Sequence, residues 1–228
     1  MDPIHFGNDV GLTMQPVSQT TAITPTDRRE TLPVLEGRHV TLRALRVSDA
    51  PSLLTLLTTP EVARFIAPPP TTVEGFEQFI ARTNQPSSAR KHLCFAVTLN
   101  GNDTAIGIFQ IRELEPGFRT AEWGFALGSP FWGTGVFGEG AKLVLEFAFE
   151  TLGVHRMEAR AAVRNGRGGR ALLKLGAVQE GVLRKAFLRN GQYLDQFLYA
   201  ILEDDQRAGF HRRQPAISRP AMARSISH

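Results

Sequence analysis

Apolar and polar residues alternate along several stretches of this chain, a pattern typical of β-strands that bury one face. The clearest stretch covers residues 121–127, where Trp123 and Phe125 fall on one face and Glu122 falls on the other. Such a strand packs its aromatic side chains into a core and directs its carboxylate to the opposite side of the sheet. Further strands are predicted over residues 38–45, 94–99, 105–111 and 156–162.

Other segments repeat apolar residues every three or four positions, the period of an amphipathic helix. Residues 71–83 and 139–152 carry this pattern, and a shorter version begins after Ser48, which is predicted to cap that helix. Asn165 is predicted to cap one more short helix, and Gly176 is predicted to end it.

Two Asn-Gly pairs, Asn100-Gly101 and Asn190-Gly191, each separate two strand-like stretches. Asn-Gly is a strong hairpin signal, because both residues of such a turn must tolerate positive φ. Hairpins therefore dominate the middle and the end of the chain, and helices are interspersed without regular βαβ alternation. This order predicts an α+β fold with a mixed, largely antiparallel central sheet flanked by helices.

The length of 228 residues suits one domain with extensions at its ends. Residues 1–33 are rich in Thr, Pro, Gln and Ser, the last residues are rich in Arg, Ser, Pro and Ala, and neither segment shows a sustained period. We therefore predict a flexible extension over residues 1–33, a folded domain over 34–205 and a flexible basic tail over 206–228.

The net charge of +4 at pH 7 raises the question of a nucleic-acid partner. Residues 204–228 carry +3, residues 1–33 carry −2, and residues 34–203 carry +3, an ordinary value for a domain. The arginine-rich stretch 156–170 lacks the interleaved aromatic residues on which single-stranded nucleic acids stack. The charge pattern thus argues against nucleic acid, and RNA association through the basic tail is kept as an alternative.

Cys94 is the only cysteine in the chain, which excludes an intramolecular disulfide and a thiolate zinc cage. We expect no metal site. No apolar run approaches the ~20 residues of a membrane span, and the first residues lack the basic start and apolar region of a signal peptide. We therefore expect a cytoplasmic protein with no membrane partner.

A glycine-rich segment, Gly133-x-Gly135-x-x-Gly138, follows a predicted strand and opens a predicted helix. Glycines let backbone N–H groups approach a phosphate, and a helix N-terminus adds about half a positive charge. The pattern also matches a dinucleotide fingerprint, with Glu158 placed 20 residues after the last glycine. That fingerprint needs a βαβ start and an acid at the end of the second strand. The hairpin-linked strands here favour another phosphate ligand, and a glycine-rich turn without a ligand is the alternative.

Several groups of residues stand in a fixed order along the chain: Ala121-Glu122-Trp123-Gly124-Phe125, Trp132-Gly133-Thr134-Gly135, Glu139, Asn165, Leu175-Gly176, Asp195 and Leu198-Tyr199. Together they resemble the GNAT superfamily of N-acetyltransferases, and within it the RimJ/RimL type, which acetylates protein N-termini and, in relatives, small amines. The resemblance covers about residues 35–203. The G-x-G element alone is a weak signal, whereas the ordered set is strong.

The resemblance implies acetyl-CoA as the cosubstrate. The loop over residues 132–138 would bind the pyrophosphate through backbone amides, the strand around residues 125–127 would pair with the pantetheine arm, and Asn165 would hydrogen-bond that arm. One or two arginines of the stretch 156–170 could meet the 3′-phosphate, although a solvated basic face is the favoured interpretation of this stretch. The implied coenzyme-binding residues are Phe125, Ala126, Leu127, Trp132, Gly133, Thr134, Gly135, Val136, Phe137, Gly138 and Asn165.

The chain departs from the family pattern at two positions. Phe137 stands where the family usually has Gly or Ala, beside the expected second phosphate. Gly168 stands three residues after Asn165, where the family often has a Ser near the thioester sulfur. A hydroxyl that could assist the departing thiolate is therefore missing, and Tyr193 and Tyr199 are assigned to packing in the last hairpin.

Acetyl transfer requires a neutral amine, and the cost of deprotonation depends on the acceptor. At pH 7 an α-amine with a pKa of ~7.8 costs only ~1 kcal/mol to deprotonate, whereas a lysine at ~10.4 costs nearly ~5 kcal/mol. A modest base suffices for the α-amine, and Glu122 is the candidate, acting directly or through water. The alternative is a charged residue on a solvated or salt-bridged strand face. His92 and His155 are assigned surface or structural roles, Cys94 is assigned to a buried strand position, and Glu139 is assigned to the dipole of its helix.

We therefore predict an acetyl-CoA-dependent N-acetyltransferase that acts on a primary amine by direct attack, with a protein N-terminal α-amine as the first choice. One alternative is a small-molecule amine such as a polyamine, an amino acid or an aminoglycoside. Another is a non-catalytic acyl-CoA-binding module. The expected partners are acetyl-CoA and the amine acceptor, and the oligomeric state, including a homodimer, is left open. Acceptor loops vary within one fold, so the acceptor itself is left open.

Overall fold

The computed structural model describes residues 32–85 and 91–206. The predicted extension over residues 1–33 and tail over 206–228 therefore fall, apart from their innermost residues, outside the described residues. The strands are β1 (Leu35–Glu36), β2 (Val40–Ala44), β3 (His92–Leu99), β4 (Asn102–Glu113), β5 (Thr120–Leu127), β6 (Arg156–Ala162), β7 (Val178–Arg189) and β8 (Gln192–Leu202). The α-helices are α1 (Ala50–Leu57), α2 (Pro60–Ala63), α3 (Val73–Thr83), α4 (Val136–Glu146) and α5 (Gly166–Lys174).

The strands form one eight-stranded sheet in the order β1-β2-β3-β4-β5-β6-β8-β7. Every neighbouring pair is antiparallel except β5 and β6, which are parallel. The parallel contact is short, running from Thr120↔Arg156 to Glu122↔Glu158. The predicted mixed, largely antiparallel sheet is thus confirmed, with its one parallel junction at the centre.

The sheet buries an apolar core on each face. On one face α4 contributes Leu145 to a cluster that contains Trp123 of β5. On the other face α1 and α3 contribute Leu53 and Phe76 to a cluster that contains Ala126 of β5. The alternation along β5 produces this division, because side chains an odd number of positions apart point to opposite sides of a strand. Helices therefore flank the sheet on both faces, as the pattern predicts.

A buried ion pair fixes the first helix to the sheet. Arg43 of β2 and Asp49, which precedes α1, are 5% and 3% exposed, and the guanidinium donates to both carboxylate oxygens at 2.8 Å. Arg43 also donates from Nε to Asp103 of β4 at 2.6 Å. The hydrogen bond to Asp49, with that to Asp103, outweighs desolvation and raises the pKa of Arg43. These hydrogen bonds hold the start of α1 against β2 and β4. Loss of one partner would leave the other charge buried and unpaired, which is strongly destabilising.

The N-cap predicted at Ser48 is wrong, because a 3-10 turn over Val47–Asp49 precedes α1. Asp49 takes the position before the helix, and its carboxylate accepts a hydrogen bond from the backbone amide of Arg46 at 2.8 Å. The long helix predicted over residues 139–152 also differs from the structure. The α-helical part stops at Glu146 and continues as one π-helical turn.

Both Asn-Gly hairpins are present, but their turns differ. At the second, Asn190 (φ 49°) and Gly191 (φ 74°) are both left-handed, as predicted. At the first, Gly101 has a φ of 83° but Asn100 does not have positive φ, so that part of the prediction is wrong. The Asn100 side chain instead donates to the carbonyl of Gly37 at 3.0 Å, which joins this hairpin to the turn between β1 and β2.

Candidate active site

The centre of the sheet opens where β5 and β6 stop pairing. Their last paired residues are Glu122 and Glu158, whereas β5 stays paired with β4 on its other edge as far as Leu127. From Trp123 onward, one edge of β5 therefore faces no described strand. Backbone groups along such an edge are available to an extended ligand, which can pair with them as a neighbouring strand does. Phe125, Ala126 and Leu127 lie on this open part of β5.

The glycine-rich loop follows directly from the open end of β5. Gly133 has a φ of 78° and Gly135 a φ of 93°, conformations that other residues adopt at a cost. No described backbone carbonyl accepts a hydrogen bond from the amides of residues 133–138, and the Thr134 hydroxyl donates back to the carbonyl three residues earlier. Val136, which is 8% exposed, anchors the first helical turn in the core. The loop therefore presents unpaired donors at the N-terminus of α4, an arrangement suited to an anion.

The space over this loop is open. A Cβ built at Gly133, Gly135 or Gly138 meets no atom within 4 Å. Gly138 differs from the other two because its φ is not positive, so its backbone does not require glycine. The donors and the open volume together fit a phosphate group.

Trp132 connects the loop to both sides of the opening. Its indole Nε1 donates to the carbonyl of Leu127 at 2.8 Å, at the end of β5. The guanidinium of Arg167, in the first turn of α5, lies over the indole with its Cζ 4.3 Å from the ring centroid. This cation–π contact bridges the segments that follow β5 and β6, and it brings a positive charge to the glycine loop.

Phe137 does not obstruct the loop, although the family usually has a smaller residue there. Its ring packs against Phe125 with centroids 4.5 Å apart and against Phe109 at 5.9 Å. Trp123 stacks on Phe109 with ring centroids 6.2 Å apart. The Phe137 side chain thus packs within an aromatic cluster on the α4 face of β5, while its backbone amide remains in the first turn of α4.

Asn165 caps α5, as predicted. Its Oδ1 accepts a hydrogen bond from the backbone amide of Gly168 at 3.0 Å, and its Nδ2 donates to no described acceptor. A Cβ at Gly168 would lie 2.6 Å from that Nδ2. The glycine at the usual serine position therefore lies beneath the capping side chain, and the cap leaves one amide donor available to a ligand.

Glu122 lies on the sheet face opposite Trp123, as predicted, and its side chain is 18% exposed. Its carboxylate forms a hydrogen bond with Arg112 of β4, and Arg160 of β6 lies 3.7 Å away. Glu158, opposite Glu122 in the parallel register, lies 4.0 Å from the same Arg160. The salt-bridged alternative therefore describes the contacts of Glu122, and an amine or water must share its carboxylate with two guanidinium groups.

The arginines of the stretch 156–170 separate in the structure. Arg156 donates to Glu158 and to Glu180, each at 2.9 Å, and Arg160 faces Glu122 and Glu158. Arg167 instead contacts Trp132. The sequence therefore did not reveal which of these arginines are neutralised by carboxylates and which face the glycine loop.

Three other titratable residues, His92, Cys94 and Glu139, have contacts that fit structural roles. Burial lowers the pKa of His92 and raises the pKa of Cys94 to about 12, so the thiol stays protonated and unreactive. Glu139 lies in the first turn of α4, as predicted, but it also accepts hydrogen bonds from the backbone amide and the ring of His39, at 2.7 and 3.1 Å. Its partner on β1–β2 could not be found from sequence, because 100 positions separate the two residues.

Tyr199 packs in the core, as predicted, and its hydroxyl points at the start of α5. The side chain is 3% exposed, and burial raises its pKa. Its Oη lies 2.6 Å from the Cβ position of Gly169, beside Gly168 in α5. Two consecutive glycines therefore accommodate the side chains of Asn165 and Tyr199 at the start of this helix.

Within residues 32–85 and 91–206, no group of three or more His, Cys, Asp or Glu side chains is placed to hold a metal ion. None of the described helices is both long and apolar enough to span a bilayer.

The chain matches the acetyltransferase (GNAT) domain family over residues 39–178. It is 30% identical over 178 residues to the probable N-acetyltransferase YjcK of Bacillus subtilis (strain 168), covering 75% of this chain and 98% of that protein. It is 28% identical over 104 residues to the ribosomal-protein-serine acetyltransferase of Escherichia coli (strain K12), covering 46% and 58%. A solved structure from T. thermophilus, provisionally described as an acetyltransferase, is 33% identical, covers 80% of this chain and 96% of that chain, and has a TM-score of 0.67.

The family match covers more than half of the chain, and the relative from B. subtilis is matched along nearly its whole length. The resemblance read from the ordered motifs is confirmed, and it extends at lower identity to ribosomal-protein acetyltransferases. GNAT acetyltransferases use acetyl-CoA, whose phosphates the glycine loop is suited to bind. The chain therefore belongs to the GNAT family and is an N-acetyltransferase.

Proposed function

We propose that this N-acetyltransferase acetylates α-amines at protein N-termini, with acetyl-CoA lying along the open edge of β5. The observation that carries the proposal is the end of β5–β6 pairing at Glu122↔Glu158, since the unpaired edge leads from there to the glycine loop. Along this line the pyrophosphate would accept hydrogen bonds from the amides of residues 133–138. The pantetheine arm would pair with residues 125–127 and accept a hydrogen bond from Asn165 Nδ2.

The preference for an α-amine rests on proton chemistry and on the relatives. An α-amine is neutral in a useful fraction at pH 7, because its pKa of ~7.8 lies close to that value. The matched E. coli relative is a ribosomal-protein-serine acetyltransferase. A carboxylate already engaged by Arg112 and Arg160 is better suited to assist a weakly basic amine than to deprotonate a lysine. Small-molecule amines are the alternative acceptors, whereas the family assignment argues against a non-catalytic module.

In the proposed reaction the neutral amine nitrogen attacks the thioester carbonyl carbon. A C–N bond forms, the C–S bond breaks, and coenzyme A leaves as a thiolate. Glu122, directly or through a water it holds, takes the proton that the amine loses. Backbone donors of the open β5 edge stabilise the developing oxyanion. The thiolate takes its proton from water, because Gly168 offers no hydroxyl.

The role of Glu122 is tested by Glu122→Gln, which keeps the shape of the side chain and removes the base. We expect kcat at neutral pH to fall by ~10²-fold, the lower end of general-base effects, because the α-amine is weakly basic. Acetyl-CoA affinity should stay nearly unchanged, and raising the pH should restore part of the rate. Coenzyme A release and acetyl-CoA titration measure the two quantities.

Glu158→Gln is the matched control, because Glu158 occupies the same register position on β6 and shares Arg160 with Glu122. If both variants lose the same activity, the loss comes from disturbing the network of charges around Arg160, and Glu122 is not the base. If Glu122→Gln turns over at the wild-type rate from about pH 6 to 9, the residue is structural.

The acceptor class is tested by mass spectrometry of reactions with free N-terminal peptides, N-blocked peptides that carry lysine, and a panel of small amines. Acetylation of the free N-termini alone supports the proposal. Faster acetylation of polyamines, amino acids or aminoglycosides would replace it with the small-molecule alternative.

A further inference from the structure

Three arginines from separate parts of the chain line one cleft of about 150 Å³. Arg64 follows α2, Arg164 follows β6, and Arg189 ends β7. Asn190 and Gln192, at the turn between β7 and β8, add polar groups to the same cleft. Among the described residues that line it, none is an aspartate or a glutamate.

These three guanidinium groups have no described carboxylate partner, unlike some others in the fold, and Arg64 lies over the ring of Phe65 with its Cζ 5.1 Å from the centroid. Arg43 and Arg156 each bind two carboxylates. In contrast, Arg64, Arg164 and Arg189 form no ion pair with a described carboxylate. The Nε of Arg189 is moreover buried with no hydrogen-bond partner. A buried unpaired donor is rare and is commonly satisfied by a ligand or an ordered water.

The cleft lies beyond the carboxyl end of β6, the strand whose separation from β5 opens the proposed coenzyme site. Arg164 immediately precedes Asn165, whose Nδ2 is the donor proposed for the pantetheine arm. The backbone amide of Val163 donates to the carbonyl of Asp195 at 3.0 Å, which holds the β7–β8 hairpin against the end of β6. The arginines of the hairpin and of the β6–α5 loop therefore meet beside the proposed coenzyme arm.

We propose that this cleft binds a carboxylate of the acceptor, so that the enzyme selects amines that carry an acidic group. This inference rests on the proposed acetylation of amines and specifies its substrate class. Guanidinium groups bind carboxylates through paired, charge-assisted hydrogen bonds, and an unpaired Nε with two terminal nitrogens suits that geometry. In a peptide acceptor the carboxylate is an Asp or Glu side chain near the N-terminus. In a small acceptor it belongs to the same molecule as the amine.

The test compares acceptor pairs that differ in charge alone. Peptides that begin Ser-Glu-Glu and Ser-Gln-Gln form one arm, and free glutamate and glutamine form the other. With wild-type enzyme we expect kcat/KM for the acidic peptide to exceed that for the neutral peptide by ~10-fold or more, and the ratio to fall as salt rises. Arg64→Gln and Arg189→Gln should each reduce the ratio toward one. Arg184→Gln, on the same hairpin but outside the cleft, should leave it unchanged.

Equal rates for acidic and neutral acceptors would overturn the inference and leave the proposed function intact. The inference also fails if the arginine variants weaken acetyl-CoA binding and do not change the charge ratio, because the cleft then belongs to the coenzyme. If no acceptor is acetylated, the proposed function fails. Binding of the N-acetylated Glu-Glu and Gln-Gln peptides then still decides the inference. Tighter binding of the Glu-Glu peptide to wild-type enzyme, lost in Arg189→Gln, supports it, and equal binding of the two peptides to wild-type enzyme overturns it.

Discussion

Gly138 is the position at which the proposed phosphate site can be tested with little disturbance of the fold. Gly135 is less suitable, because its φ of 93° makes any side chain costly there. At Gly138 the φ is not positive, and a Cβ meets nothing within 4 Å. Gly138→Asp therefore places a carboxylate in the open volume above the loop. The third helical position also favours an acidic residue, by about 0.3–1 kcal/mol through the helix dipole.

The expected effects on stability and on binding have opposite signs. Without ligand, the variant should be at least as stable as wild type. A carboxylate about 5 Å from a phosphate repels it by about 3 kcal/mol at an effective dielectric constant of about 20, which weakens binding about 100-fold. At a coenzyme concentration of about 100 times the wild-type Kd, stabilisation falls from about 2.7 to about 0.4 kcal/mol. For a chain of this size, the ligand-induced rise in Tm falls from about 5–10 °C to about 1–2 °C.

Thermal unfolding with and without acetyl-CoA measures both quantities. Gly138→Asn is the matched control, because it has nearly the same shape and no charge, and it should keep most of the rise in Tm. If Gly138→Asp keeps the full rise while the fold is intact, no phosphate lies above this loop. If the aspartate and asparagine variants lose it equally, the loss is steric and the electrostatic reasoning fails.

Three further predictions concern the surroundings of the site. Asn165→Asp should keep the helix cap and the free energy of unfolding but raise the KM for acetyl-CoA, whereas Asn165→Ala should also lose ~1 kcal/mol of stability. Gly169→Ala should destabilise the fold by about 1–3 kcal/mol through overpacking, and Tyr199→Phe in the same chain should recover most of that loss in denaturant unfolding. Burial raises the pKa of Glu139, but hydrogen bonds from His39 and from the backbone amide of Val40 outweigh it and hold the pKa below 4.5. The carboxylate therefore contributes stability above that pH which is lost as the pH falls, and Glu139→Gln should show a shallower acid loss of Tm.

A different outcome would contradict each of these three predictions. Wild-type kinetics for Asn165→Asp would leave Asn165 as a helix cap alone. A Tyr199→Phe replacement that recovers nothing would show that the hydroxyl is not what crowds the alanine at position 169. If Tm falls with acid as steeply in Glu139→Gln as in wild type, the contact between Glu139 and His39 does not cause the acid sensitivity.

Local patterns in the sequence were sufficient for most elements and for the glycine loop. The alternation around Trp123 predicted both faces of β5, because a strand has period two wherever it lies in a sheet. Asn165 was recognisable as a cap and the second Asn-Gly pair as a turn, because backbone geometry near one residue depends mainly on its neighbours. The ordered motifs identified the family without structural data. Ser48 failed as a cap because the neighbouring turn and the contacts of Asp49 took precedence.

Contacts between distant residues were decided by the tertiary structure alone. Periodicity placed Glu122 on the correct face, but it could not supply Arg112 and Arg160, which reach the carboxylate from two neighbouring strands. The separation of β5 and β6 after three register pairs likewise depends on packing across the whole sheet. Arg64 and Arg189 lie 125 positions apart and line one cleft. Their charges are visible in the sequence, but whether a charge is paired or left for a ligand depends on which strands and loops the fold brings together.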